Sequence, residues 1–527
     1  MNFIKSMKIQ NFKKFENLSI DFNPHLNILV GGNEAGKSTI LEAIQLVLNQ
    51  TYKNADRSIL KELFRQQQII EFELNPSPEV LPAITIELEL NLDESNPKAS
   101  YFYGSDTKLY DTKEDRYGIR FSCFMDTEAD FGIDDLFSQS HVPYEFYSLE
   151  WKTFAGRLYQ TRNSLLKLLA IDTSRGAAGY SFNYFNKSLF NNKFEEADRS
   201  RIKHKFNSNI EGVFDNLNLD PIGNNRVFGI DTKKLILENL LSIYDDGIPL
   251  EKHGSGMENL VKTQIALEKS SQIDVILLEE PENHLGFPEL KKMVHEISTK
   301  KDESQIILAT HNSMIASGLD LRNLMWIKNS EIGTLAKLDS AVSDFFVKSP
   351  DNSILQLLLS ERVLLVEGAA EKILMPRIYE LIYKRNIEKD KITVISCNGL
   401  SFERYLSVAA ASSKKVAVLT DNDKSQKKIN KYKNLNEKDL FQKYFFDESL
   451  DNWTFEVCMY HENKKVLDNL IETQKDAKYE YHGQTQETPT LGKMLNEKAE
   501  TAYKLLTLDK DFSVPEYIRK ALEWLNE

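Results

Sequence analysis

An apolar run, Leu26–Val30, passes directly into Gly31-Gly32-Asn33-Glu34-Ala35-Gly36-Lys37-Ser38-Thr39, and Thr39–Leu48 continues with apolar positions at helical spacing. A buried strand that turns through glycines into a helix is an α/β unit, and the spacing is that of a Walker A P-loop. In this context the N–H groups of the turn cradle a β-phosphate, Lys37 reaches the β and γ oxygens, and the Ser38 hydroxyl ligates Mg²⁺. Gly31, Asn33, Glu34, Gly36, Lys37, Ser38 and Thr39 are the expected nucleotide-binding residues, and ATP with Mg²⁺ the expected cofactor.

Three later segments extend the pattern. Asp274–Leu278 is an apolar strand that ends in Glu279-Glu280-Pro281-Glu282, as a Walker B strand must end in acids. Glu279 is placed to hold the magnesium shell and Glu280 to polarise the attacking water. Gln305–Ala309 reads as the next strand, followed by His311 where a switch histidine touches a γ-phosphate. His253-Gly254-Ser255-Gly256-Met257-Glu258 lies about 20 residues before the Walker B strand. It reads as a glycine-rich signature whose backbone and Ser255 hydroxyl supply phosphate donors from an opposing protomer. Ile4–Phe12 and Leu18–Phe22 read as a hairpin punctuated by Asn23-Pro24. No Q-loop is assignable: Gln66, Gln67 and Gln68 lie in a polar helix-like stretch, and Ile84–Leu92 reads as the strand beyond it.

These segments in order resemble the ABC-type ATPase heads of the SMC and RecF group, with Glu279–Leu285 similar to the EEPExHL segment found there. A chain of 527 residues divides into two to four domains. No apolar run approaches the roughly 20 residues that span a bilayer, and Met1–Lys5 leads into a strand rather than a signal peptide, so a cytoplasmic protein without a membrane partner is expected. Cys123, Cys397 and Cys458 are far apart, which argues against disulfides and structural zinc. The net charge of −13 excludes general coating of nucleic acid but permits a local basic channel. Residues 146–234 change character, with helices expected near Ser164–Ala170 and Glu195–Leu217. They read as a helical insertion, a candidate dimerisation arm, or equally as an ordinary lobe of the ATPase, between ATPase parts at 1–145 and 235–347; no heptad run long enough for a coiled coil is present.

A loop at Lys348–Ser353 marks a linker to a second region, 355–527. There Arg362–Val366 is a β-branched strand ending in Glu367-Gly368, with a helix expected from Ala370 to Tyr383. Ile392–Ser396 is a second strand, and Val416–Thr420 a third, ending in Asp421-Asn422-Asp423. Strands alternating with helices predict a parallel sheet whose C-terminal edge gathers Glu367, Asp421 and Asp423, a carboxylate set suited to Mg²⁺ or Mn²⁺. The Glu-Gly and DxD pair, about 55 residues apart, resembles a Toprim domain. Glu371, one turn beyond Glu367, and Glu456 are further candidate ligands; Lys498, opening a later helix, is a candidate to stabilise charge on a scissile phosphate.

The ordered pair is similar to the OLD (overcoming lysogenization defect) nucleases. The resemblance extends to Glu361–Gly368 and Val514–Lys520. It implies an α/β architecture, an ABC-type P-loop ATPase head with a helical insertion followed by a Rossmann-like Toprim domain. It further implies a two-metal DNA endonuclease acting as a dimer or tetramer, often in antiphage defence, in some members beside a superfamily 1 helicase, as in Gabija, or a retron. By motif, Glu367, Glu371, Asp421, Asp423, Glu456 and Lys498 correspond to its site; Phe455 departs from a leucine expected before the last glutamate. Lys424, Lys427, Lys428, Lys431 and Lys433 offer a basic stretch for a DNA backbone. A topoisomerase needs a nucleophilic tyrosine that no motif selects here, and a primase lacks such a head. The reading from another class is a noncatalytic, ATP-driven DNA-binding or repair scaffold of the SMC/RecF type.

Overall fold

Every residue is buried in the strands Leu26–Val30, Val275–Glu279 and Gln305–Ala309, which is the signature of a parallel sheet covered on both faces. The computed structural model describes residues 1–125, 141–173, 180–211, 213, 230–231, 235–268, 273–328, 330–348, 353–397, 399, 402–473, 480–507 and 511–527. These form two compact units, Met1–Leu319 with Asn323–Gly333, and Asp320–Arg322 with Thr334–Glu527.

In the first unit the sheet runs in the order Glu331–Thr334, Leu324–Lys328, Leu26–Val30, Gln305–Ala309, Val275–Glu279, Leu168–Asp172, and the pairings from Leu324–Lys328 through Leu168–Asp172 are parallel. The strand before the P-loop therefore lies at the centre, with Gln305–Ala309 between it and the Walker B strand. A second, antiparallel sheet is built on Phe3–Phe12, paired with Phe15–Asp21 on one side and Ile84–Asn91 on the other. Gln305 locks the sheets together. Its fully buried amide accepts from Ile4 N–H at 2.9 Å and donates to the Ile4 and Asn23 carbonyls at 2.8 and 2.9 Å. A buried amide with these three bonds offsets its desolvation; apolar replacement would take its bonds from the Ile4 N–H and carbonyl. The helix Lys37–Asn49 buries Ile40, Leu41, Ile44, Val47 and Leu48 in the same core, where truncation of one such side chain to alanine costs roughly 2–5 kcal/mol.

The region 146–234 is less helical than its sequence suggests. Tyr147–Thr153 is a strand paired with Arg116–Met125, and Leu168–Asp172, which overlaps the helix expected near Ser164–Ala170, is the edge strand beside Val275–Glu279. The reason is tertiary. A short apolar run has no period that separates strand from helix, and the open edge of the parallel sheet decides it. Helices follow at Tyr180–Lys193 and Glu196–Glu211; most of 212–234 lies outside the described residues, as do 349–352 of the expected linker. The first unit ends at Gly333 rather than 347.

The second unit holds a four-stranded parallel sheet in the order Ile392–Ser396, Arg362–Val366, Lys415–Leu419, Gln442–Phe445. The helix Ala369–Tyr383 packs on Lys498–Leu506, and Glu516–Asn526 lies against the strand Lys415–Leu419. Leu364, Val366, Leu374, Tyr379, Ile518 and Leu522 belong to the core they share.

Candidate phosphate cleft and carboxylate cluster

Gly36 is the residue the P-loop cannot replace. Its φ is 105°, and a Cβ there would stand 2.3 Å from the Phe15 ring, so conformation and space both demand glycine. The turn opens a cleft of about 570 Å³ lined by Lys13, Lys14, Glu280 and residues 33–39, so Asn33, Glu34, Gly36, Lys37, Ser38 and Thr39 all face it. Gly31 is buried behind them. Lys37 is only 8% exposed, and its ammonium donates to the Gly31 and Gly32 carbonyls at 3.0 and 3.3 Å. Burial holds its pKa below the usual lysine range, against the opposing charges of Glu280, Glu282 and Glu279. Phosphate oxygens in place of two carbonyl dipoles restore that charge with stronger bonds.

Glu279 closes the Walker B strand, and Glu280 turns out of it with φ 45°, its N–H donating to the Ala309 carbonyl at 2.8 Å. Asn283 donates to Glu280 Oε2 at 3.0 Å, and His311 Nδ1 stands 3.5 Å from Glu280 Oε1 and 3.6 Å from Glu282 Oε1. Glu282 belongs to the motif but was not expected in the site. Its Oε1 accepts from Thr310 Oγ1 at 2.5 Å, and its buried Oε2 has no hydrogen-bond partner among the described residues. A buried orphan carboxylate oxygen calls for a cation or its water shell, so the oxygen set of Ser38, Glu279 and Glu282 fits Mg²⁺. Ser255 and Gly256 begin the helix Ser255–Glu268 and do not line this cleft. Gly256 instead packs on the loop after Walker B, where a Cβ would meet the His284 carbonyl oxygen at 2.1 Å.

In the second unit, Glu367 and Asp421 follow adjacent parallel strands and leave the same sheet edge. Thr420 Oγ1 and the Asp421 N–H donate to one oxygen, Glu367 Oε1, at 2.7 and 2.9 Å. Asp421 Oδ1 accepts from the Phe455 N–H at 2.9 Å, the first donor of the helix Phe455–Leu470, a terminus that favours an anion. Glu371 and Glu456 occupy the first turns of their helices and are 6% and 4% exposed. Lys498 Nζ lies 3.0 Å from Glu456 Oε2. Burial first, then the charges of Glu456 and Glu367, pushes Glu371 up to about 7. Burial, followed by Glu367, Glu456 and Glu371, holds Asp421 well above the carboxylate range.

Asp423 departs from expectation. Its backbone is left-handed at φ 50°, its N–H donates to the Trp453 carbonyl at 3.1 Å, and its half-exposed carboxylate is paired with Lys428. Two residues along an extended strand would share a face, but the left-handed turn redirects the second acid. Among the described residues, no three His, Cys, Asp or Glu side chains already converge as a metal-holding group. The donor set still fits a hard divalent cation, since Glu367, Glu371, Asp421 and Glu456 are all oxygen donors, and their crowding raises the pKa of Glu371 and Asp421.

Two neighbours, Thr420 and Tyr517, were not anticipated, whereas Lys428 and Lys431 belong to the expected basic stretch. Thr420 orients Glu367; Lys428 and Lys431 line a cavity of about 380 Å³ beside Glu367 and Thr420; and Tyr517 is buried, its phenol pushed up first by burial, then by Cys458, Asp421, Glu371 and Glu456. Tyr517 had a sequence signal only through the family resemblance at Val514–Lys520. Among the described residues no helix is long and apolar enough to cross a membrane.

Comparison with known proteins gives two family matches, the AAA domain over residues 6–313 and the Overcoming lysogenization defect protein-like TOPRIM domain over residues 358–423. DNA replication and repair protein RecF of Lachnoclostridium phytofermentans is 35% identical over 97 residues, 18% of this chain and 25% of RecF. The ATP/GTP phosphatase of Helicobacter pylori is 23% identical over 354 residues, 60% of this chain and 87% of that protein. The chain spans 25% to 45% of the length of the first RecF proteins it matches. Among solved structures, the C-terminal region of the Burkholderia pseudomallei OLD protein matches 32% of this chain and 97% of its own at 18% identity, with a TM-score of 0.25.

Proposed function

The chain belongs to the AAA domain family and carries an Overcoming lysogenization defect protein-like TOPRIM domain, and from that premise we propose that it is an ATP-regulated, metal-dependent DNA endonuclease that serves antiphage defence. One observation carries the reading: Glu367 and Asp421 on adjacent strand ends, with buried Glu371 and Glu456 and the Lys498 ammonium beside them.

Glu367, Asp421, Glu371 and Glu456 would hold one or two Mg²⁺ or Mn²⁺ ions. When bound, such ions lower the pKa of the attacking water and stabilise the leaving 3′ oxygen. Thr420 keeps Glu367 in one orientation, and the Phe455 N–H does the same for Asp421. Lys498, paired with Glu456, carries the positive charge that a pentacovalent phosphate needs. Lys428 and Lys431, in the cavity beside Glu367, hold the flanking backbone. Asp423 contributes once a phosphate takes Lys428 from it.

In the first unit Lys37 and Ser38 bind ATP and Glu280 polarises water, with His311 hydrogen-bonding near the γ-phosphate. Ser255 and Gly256, away from their own chain's cleft, complete the cleft of a second protomer, and the helices Tyr180–Lys193 and Glu196–Glu211 supply further dimer surface. Incubation of supercoiled plasmid with the protein and Mg²⁺ or Mn²⁺ tests the reading. Nicked and linear products that vanish in EDTA are expected, and intact plasmid in both metals would sink it. That outcome would favour a noncatalytic ATP-driven DNA scaffold.

A further inference from the structure

A cavity of about 320 Å³ in the first unit is walled by Lys98, Arg157 and Arg162, with Tyr101, Asn163 and Ser164 between them. None of its described lining residues is acidic, in a chain whose net charge is −13. Among the described residues none of the three cations has an ion-pair partner. Asp106, close to Gly156, commits both carboxylate oxygens to Arg120 at 2.8 and 3.0 Å.

Hydrogen bonds tie down the backbone of the walls. Tyr101 Oη donates to the Leu158 carbonyl at 2.6 Å, tying the turn Pro97–Tyr101 to the loop that carries Arg157. The Arg157 guanidinium lies 5.3 Å from the Tyr101 ring centre, which holds its fork in place while leaving its N–H groups available. On the far wall Ser164 Oγ donates to the Leu166 carbonyl at 2.9 Å and Asn2 Nδ2 to the Leu165 carbonyl at 3.1 Å. Three like charges around one cavity repel in the absence of an anion. Two guanidinium forks and an ammonium, with the Asn163 amide beside them, match the oxygens of phosphodiesters.

We propose that this cavity is a backbone-phosphate site for duplex DNA on the ATPase unit, using residues distinct from the carboxylate cluster. Naming DNA as the occupant rests on the nuclease reading above. The site reads no sequence, because its donors are charges and not base-edge partners. Its contribution is a salt-dependent anchor.

The test is fluorescence anisotropy of a labelled duplex titrated with the full chain across a salt series in EDTA, so that no cleavage intervenes. The variant K98Q/R157Q/R162Q should bind roughly 30-fold more weakly near physiological salt, and its slope of log affinity against log salt should shrink by about 2–3, on about 0.9 per phosphate contact. K98Q/R162Q spares the Arg157–Tyr101 contact, keeps the fold, and should lose about 2 of that slope. Unaltered ATP hydrolysis in both variants excludes misfolding. Wild-type affinity and slope in the variants overturn the site while leaving the nuclease reading standing. A wild-type protein that binds no duplex overturns both. Loss of inorganic phosphate binding with duplex binding intact would make the cavity a small-anion site and overturn the DNA assignment.

Discussion

The Lys498 ammonium stands 3.0 Å from Glu456 Oε2, so the carboxylate cluster carries its own counter-charge on a half-exposed lysine. Removing that lysine leaves a buried glutamate uncompensated. K498M should lower stability in EDTA by about 1–3 kcal/mol, and Mn²⁺ should restore most of it while cleavage stays at least about 100-fold down. Thermal melts with and without Mn²⁺, paired with plasmid nicking, check this. A variant that cuts normally removes Lys498 from the chemistry.

E367A and D421A should each abolish cleavage in Mg²⁺ and in Mn²⁺ while ATP hydrolysis remains within about twofold, because Lys37, Ser38 and Glu280 belong to another constellation. Cleavage at the wild-type rate in either variant would assign the nuclease elsewhere.

In the nucleotide cleft, K37A should abolish ATP binding, since the amine that leaves the Gly31 and Gly32 carbonyls for phosphate is gone. E280Q should bind ATP normally but hydrolyse it at least about 100-fold more slowly. Equilibrium binding of a fluorescent ATP analogue and a phosphate-release assay separate the two, and an unchanged affinity in K37A contradicts the assignment.

Glu371 makes stability pH-dependent in EDTA. The folded chain keeps its proton up to about pH 7, whereas the unfolded chain releases it near 4.5. Between those values the folded state binds more protons, so stability falls as pH rises through the window, by a total on the order of 3 kcal/mol. A divalent ion favours the ionised carboxylates and should stabilise more at pH 8 than at pH 5. Urea melts of wild type and E371Q measure the trend, and equal slopes in both would place the titration on another group.

Because Ser255 and Gly256 do not line their own chain's cleft, ATP should drive association through them. Light scattering of E280Q with ATP should give at least a dimer, and S255R should reduce that dimer. A monomer under both conditions rules out a shared nucleotide site.

Local chemistry made much of this legible in the sequence. The P-loop, the Walker B acids and the strand ends at Glu367 and Asp421 are short-range patterns, since a glycine turn, an apolar run and a terminal carboxylate each carry their own geometry. The parallel order of the second sheet followed from alternation of strand and helix. Leu168–Asp172 was not legible, because a short apolar run becomes helix or strand according to the sheet edge it meets. Nor was the fate of Asp423, which a left-handed backbone turns onto Lys428 although the strand pattern gathers it with Glu367 and Asp421 at one sheet edge. Glu282, Thr420 and Tyr517 join their sites through contacts between elements remote in sequence. The basic cavity of Lys98, Arg157 and Arg162 likewise needs two loops brought together by the Tyr101 hydrogen bond. The sequence by itself determined which strands end in chemistry; the tertiary structure alone decided which side chains meet there, because burial and side-chain direction depend on neighbours that no local pattern specifies.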